Sequence, residues 1–258
     1  MITTTKLPRR DDLTAARDVK RRPFVGRSDA NSEPRLNVEC STATWSISGP
    51  ATSGGDVADS FTLSNECIVV AVWDAAGHCK TAATDAVLVR AQLRALLSAD
   101  PDILSAVFAL NRLLFRRAGT LPSWPFVSGF FGLVNRETHT LRYISCGHET
   151  ALMFRGRSAH VHLPHNGPLL GISEAADLTV DAVHVERGDR LVIVSNGITD
   201  ARPLCSQTEF FGTARLCSYF RSQPSGCAAD ALRLIDHVVT FADEALDDDA
   251  AALIARFE

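Results

Sequence analysis

The sequence predicts an α+β fold, with two packed antiparallel sheets and helices on their outer faces. Three observations predict it. Short apolar runs bounded by Gly, Pro, Asn and Asp recur from Leu36 to Val194 and again at Ala252–Ala255, as strands joined by tight turns would. Two apolar stripes of helical period follow one another after His78. One more helix, over about residues 228–242, stands near the end. Helices that arrive as a pair and then singly, among hairpin-like strands, suit layers of sheet and helix.

Composition bounds the function. With 258 residues, the chain can bury one large core or two small ones. The apolar run Cys67–Trp73 is far too short to cross a bilayer, and Arg9-Arg10 leads into no apolar stretch, so neither a membrane role nor a secretion signal is expected. Seven cysteines, never spaced Cys-x-x-Cys, point to reduced thiols in a cytoplasmic protein. Residues 1–27 carry eight Lys/Arg against three Asp, so the net charge of −4 leaves the rest of the chain near −9. An acidic body argues against nucleic acid as a partner and suits carboxylates gathered around divalent cations. Residues 1–35, basic and polar with three prolines, read as a flexible arm; residues 36–258 read as the domain.

From Leu36 the elements follow in order. Leu36–Cys40 alternates as a half-buried strand, resumes at Trp45–Ser48 and meets the turn Gly49-Pro50. Phe61–Leu63 and Cys67–Trp73 read as strands joined at Ser64-Asn65. Val89, Leu93, Leu96 and Leu97 share one helix face. Asp100-Pro101 predicts an N-cap and first turn for a second helix, whose stripe is Ile103, Val107, Leu110 and Leu114. Strands are then expected at 126–135, 141–145, 151–154, 160–163, 180–185 and 190–194.

The stretch Val69–Cys79 is the one that suggests chemistry. An apolar strand ends on Asp74, and Ala75-Ala76-Gly77 follows before His78. The strand would fix the acid, and the small residues would let backbone carbonyls approach an ion. Taken alone, the stretch reads more simply as a solvated Asp at a strand-to-helix turn, since an acid at a strand end is common. Asp56, Asn196 and the run Asp247-Asp248-Asp249 stand at comparable strand ends or turns. Oxygen ligands converging from strand ends are what Mg²⁺ or Mn²⁺ requires, and two such ions can drive in-line displacement at phosphorus.

In this order the motifs resemble the SpoIIE-type branch of the metal-dependent (PPM) serine/threonine protein phosphatases. Gly54-Gly55-Asp56-Val57-Ala58-Asp59, Asp74-Ala75-Ala76-Gly77-His78, Cys146-Gly147-His148, Pro168-Leu169-Leu170-Gly171, Ser195-Asn196-Gly197-Ile198-Thr199-Asp200-Ala201-Arg202, Glu209-Phe210-Phe211-Gly212 and Asp248-Asp249 carry the likeness. It implies an αββα sandwich of two antiparallel sheets with two Mn²⁺ or Mg²⁺ ions at one end. It implies hydrolysis of phosphoserine or phosphothreonine on a partner protein, such as the STAS-type anti-sigma antagonists of bacterial partner switching. Carried over by position, Asp74 would bridge both ions, the Ala75 carbonyl would bind one, Asp248 would hold one from the last strand, and Asp56 would act through water. His78 could donate a proton to the leaving serine oxygen, or could simply pack against the helix start.

Three departures leave the activity open. Asn196 stands where the family has a ligand Asp, Cys79 replaces a turn Gly, and Ala251 replaces a Thr. An amide oxygen can ligate a hard cation but brings no charge. The chain could be an enzyme with weakened metal affinity, with or without help from Asp200, or a pseudophosphatase that binds its partner without turnover. A hydrolase acting on a small phosphorylated molecule is a third reading. His148 is expected to hold a turn. His160, His162 and His165 are expected to be exposed rather than zinc ligands, and at least one of Asp247 and Asp249 to be simply solvated.

Overall fold

Each sheet is built around one strand that is apolar on both faces. The computed structural model of the protein describes residues 34–49, 54–64, 66–77, 80–118, 126–156, 159–206, 208–222 and 230–258. The basic arm expected over residues 1–35 lies almost wholly outside them, as do His78 and Cys79.

One sheet runs β2(Asp56–Thr62)-β3(Cys67–Ala75)-β4(Val127–Asn135)-β5(Thr140–Cys146)-β8(Asp181–His184). The other runs β1(Val38–Trp45)-β10(Ala250–Phe257)-β9(Arg190–Val194)-β6(Ala151–Arg155)-β7(Ala159–Leu163). Every pairing is antiparallel. Side chains alternate faces along a strand, which sorts the apolar residues into three layers. Val70 and Val72 of β3 meet Ile193 and Leu253 between the sheets. Val69, Ala71 and Trp73 face the other way, onto α1(Lys80–Ala99) and α2(Ile103–Ala118). Val192, Ala252 and Ile254 pack on α4(Gly212–Ser222) and α5(Asp230–Phe241). The fold is the expected αββα sandwich. Strands covered on both faces read as unbroken apolar runs, which is why β3 and β10 carry so little polar signal.

Four details differ from expectation. β1 is one strand through Trp45, because its alternating exposure lets the polar run Ser41-Thr42 continue the ladder with β10. β2 begins at Asp56, so this acid opens a strand rather than preceding it. The N-cap of α2 is Asp102, whose carboxylate accepts the Ser105 N–H at 3.2 Å, rather than Asp100. α4 was not foreseen: only Leu216, Cys217 and Phe220 of its eleven residues are buried, too short a stripe to stand out.

Candidate metal centre

The strand rows that form the inner core run on, at one end of the sandwich, into acids. Asp74 continues the row of Val70 and Val72, and Asp56 continues that of Ala58; the two are Cα partners in the β2–β3 ladder. From the opposite sheet, Ser195 continues the row of Leu191 and Ile193, and Asp249 that of Ala251 and Leu253. Alternation alone therefore aims Asp56, Asp74, Ser195 and Asp249 into the same cleft.

Asp56 and Asp74 are close enough to share a proton. Asp56 is only 6% exposed, and its Oδ2 has no hydrogen-bond partner among the described residues. Burial pushes its carboxyl well above the usual carboxylate range, and the charges of Asp74 and Asp248 push the same way; a hydrogen bond from the Ser195 hydroxyl opposes them. Asp74 is raised as well, by burial and then by the charges of Asp248 and Asp249, against the hydrogen bond with Asp56. No Lys or Arg pairs with either among the described residues.

The backbone around the pair is fixed. The Ala75 N–H donates to the Gly55 carbonyl at 3.2 Å, and the Ala76 N–H to Phe126 at 2.9 Å. Ser128, the Cα partner of Asp74 on β4, has its hydroxyl 3.1 Å from Nδ1 of buried His148. Burial, aided by the His165 charge and opposed by a hydrogen bond to the Val194 backbone, lowers the His148 pKa to about 3, so the ring is neutral near pH 7. This histidine does hold its turn, and it does so by reaching across to the strand beside Asp74.

The predicted ligands are brought together unevenly. Asp56, expected to act through water, is the most buried of the predicted acids and lies directly against Asp74. Asp248 is exposed on the loop before β10 and acts on both by charge. Asn196 opens the short helix α3(Asn196–Thr199) directly after Ser195; no hydrogen bond joins its amide to the acids among the described residues. Asp200 caps α3 with an exposed side chain, and its charge acts on Glu149. His78 lies outside the described residues. The three histidines part company: His160 sits 3.6 Å from the Cys217 thiol and 3.2 Å from the Arg221 guanidinium, with the His162 ring at 5.2 Å. His165 instead approaches Ser145 at 3.4 Å.

Neither flanking acid is simply solvated. Asp247 pairs with Arg202 at 2.9 Å. Asp249 accepts the Ile47 N–H and the Gly55 N–H, both at 2.9 Å. Its partners lie 202 and 194 residues away, so no local pattern could have marked it; the one hint was Gly54-Gly55 in a motif shared with an acid.

Among the described residues no three His, Cys, Asp or Glu side chains already form a metal cage. The donor set nevertheless fits a hard divalent cation. It consists of oxygens, one buried carboxylate oxygen lacks a partner, and the mutual repulsion of the pair would be relieved by positive charge.

Comparison with known proteins bears on the family and the fold. A family model described as Stage II sporulation protein E (SpoIIE) matches residues 64–258. Over 133 residues the chain is 26% identical to the phosphoserine phosphatase RsbU of Bacillus subtilis (strain 168), covering 51% of this chain and 39% of RsbU. Over 115 residues it is 30% identical to Protein IcfG of Synechocystis sp., covering 45% of this chain and 18% of that protein. The chain therefore matches less than half the length of either relative. The PP2C phosphatase domain and regulatory-domain fragment of the cell fate determinant SpoIIE from Bacillus subtilis has the same fold. It superposes with a TM-score of 0.71 at 17% identity, over 87% of this chain and 60% of that one.

Proposed function

The chain belongs to the SpoIIE family of metal-dependent (PPM) phosphatases, and from this premise we propose that it hydrolyses phosphoserine or phosphothreonine on a partner protein. Two divalent cations, Mn²⁺ or Mg²⁺, would be held by Asp56, Asp74, the Ala75 carbonyl, Asn196 and Asp248. The observation that carries the reading is the Asp56–Asp74 pair. Two adjacent carboxylates, each raised by burial, are held at a strand end, and among the described residues no cationic side chain is paired to them. A pair with no cation of its own is a poor structural device and a good cation site.

When bound, the ions would supply an activated water and neutralise the phosphoryl oxygens during in-line displacement. The chain's part is positioning. The interior strand β3 fixes the Asp74 carboxylate, and the Gly55 carbonyl holds Ala75 so that its own carbonyl lies against Gly55. Asp248 enters from the other sheet on an exposed loop, where a protein-borne phosphate can reach. We assign a phosphorylated STAS-type antagonist as the substrate class and the cytoplasm as the site of action. The similarity to RsbU, a phosphoserine phosphatase by name, supports the first, and the free thiols Cys40, Cys67, Cys146, Cys205 and Cys217 suit the second.

Asn196 favours a second reading. One ligand position without a charge weakens the site, and a pseudophosphatase would keep partner binding while losing turnover. Hydrolysis of a generic aryl phosphate across Mn²⁺ concentrations, with Asn196→Asp beside the native chain, separates the two. Saturable native turnover supports the enzyme. Turnover only in Asn196→Asp supports the binding module, and turnover in neither overturns the assigned chemistry.

A further inference from the structure

We propose that Asp249 is the positioning residue of this centre, tying the Asp248 loop of one sheet to the Asp56 loop of the other and so setting the distance between the ligands. The inference rests on the metal-centre reading above and adds a residue to which that reading gave no role.

Four observations converge on it. The Oδ2 of Asp249 accepts the Gly55 N–H, and the Oδ1 accepts the Ile47 N–H, each at 2.9 Å. Gly55 in turn accepts the Ala75 N–H through its carbonyl at 3.2 Å, so one bonded path joins Asp249 to the backbone next to Asp56 and next to Asp74. A side chain at Gly54 would overlap the Asp249 carboxylate. A side chain at Gly197 would overlap the Asp249 carbonyl, so the Asn196 turn is seated on the same residue. The loops bearing Asp56, Asn196 and Asp248 thus all pack on Asp249. Gly54 and Gly197 are required there by close approach rather than by turn geometry.

The chemistry favours positioning over ligation. Each oxygen of Asp249 already receives a charge-assisted bond from a backbone amide, and such bonds are short and directional. Two amides of the β1–β2 connection, 202 and 194 residues before Asp249, meet in its one carboxylate, which is how a strand end in one sheet can be held in register with a loop of the other. Groups that hold metal ligands in place typically change metal affinity by about 10–100-fold when removed.

The test is Mn²⁺ titration calorimetry on the full chain, with amide hydrogen exchange of the metal-free protein. The variants are Asp249→Ala, Asp249→Asn and Gly54→Ala, with Asp74→Asn as reference. Asp249→Ala is expected to weaken Mn²⁺ binding about 10–100-fold and to speed exchange at Gly55 and Ile47, while Val70–Val72 of β3 stay protected. Asp249→Asn keeps one acceptor oxygen and should fall between. Gly54→Ala keeps the charge but displaces the carboxylate, and should reproduce the loss. Native affinity in Asp249→Ala, with binding lost in Asp74→Asn, overturns the clamp and leaves the metal centre standing. Native affinity in Asp74→Asn overturns both. Loss of β3 protection in all three clamp variants would reduce Asp249 to a general stabiliser.

Discussion

Asp56 and Asp59 lie three residues apart on β2, within one Gly-Gly-Asp-x-x-Asp motif, and are 6% and 7% exposed. Odd spacing sends them to opposite faces of the sheet. Asp59 faces α1, where Arg94 grips it with two bonds, at 2.9 and 2.7 Å, and Arg90 stands 3.7 Å away. Asp56 faces the cleft, where its neighbour is another acid. Burial is common to both, so burial alone marks neither as functional. What separates them is the sign of the charge the fold places opposite. A buried carboxylate given a guanidinium is a tie between elements, whereas one given a second carboxylate needs a cation from outside.

The largest effect should come from removing that second carboxylate. Asp74→Asn is expected to lower metal-dependent hydrolysis by at least about a hundredfold, since even outer-shell changes reach that in metal sites. The same variant should unfold at a higher temperature than the native chain in chelator, because it removes a like charge from beside Asp56. A lower melting temperature without metal would show that the pair is stabilising by itself, and the contrast with Asp59 would collapse. Arg94→Ala is the reciprocal change. It leaves Asp59 buried with its main partner gone and should cost about 1–3 kcal/mol in denaturant unfolding. Mn²⁺ affinity should stay where it was; a loss as deep as that of Asp74→Asn would mean both acids serve the metal.

The pH dependence has two contributions of opposite sign. For Asp56 and Asp74 the folded pKa is raised above an unfolded value of about 3.9. The folded state then holds protons the unfolded state has lost, so metal-free stability is fully present below that value and declines as pH rises through the raised range. His148 runs the other way: its folded pKa is lowered to about 3 against an unfolded value of about 6.5. Its contribution is present above about pH 6.5 and is lost as pH falls toward the folded value. Urea midpoints in chelator should therefore lose their decline with rising pH above about 3.9 in Asp56→Asn, and their loss with falling pH below about 6.5 in His148→Gln. Added Mn²⁺ should offset the decline with rising pH in the native chain and not in Asp56→Asn. Identical profiles in both variants would show that neither group carries the dependence.

Local periodicity made the layers legible, because β3, β4, β10 and the stripes of α1 and α2 are long and buried on defined faces. It failed where burial was slight. β1 is an edge strand with half its residues polar, and α4 buries three side chains. The acids of the site were legible as strand-end residues, but their division of labour was not. Asp59 looks like Asp56 until α1 is laid over it, and Asp249 looks like Asp247 until a loop 194 residues earlier arrives beside it. Roles set by a partner distant in sequence leave no local trace.

The finest test of the comparison asks whether Asp59 is satisfied by contact or merely by nearby positive charge. Arg94 makes the two bonds and also lies 4.4 Å over the Phe61 ring, whereas Arg90, whose side chain is as exposed as that of Arg94 at 45%, only approaches to 3.7 Å. An exposed pair without hydrogen bonds contributes at most about 1 kcal/mol and is screened by salt. Arg90→Ala should therefore lower stability by less than Arg94→Ala does, and the difference should persist when salt is raised. Equal losses that vanish together in salt would mean that diffuse field, not the bonded fork, neutralises Asp59. In that case a distant arginine could do the same for Asp56, and the absence of a paired cation would no longer distinguish a binding carboxylate from a structural one.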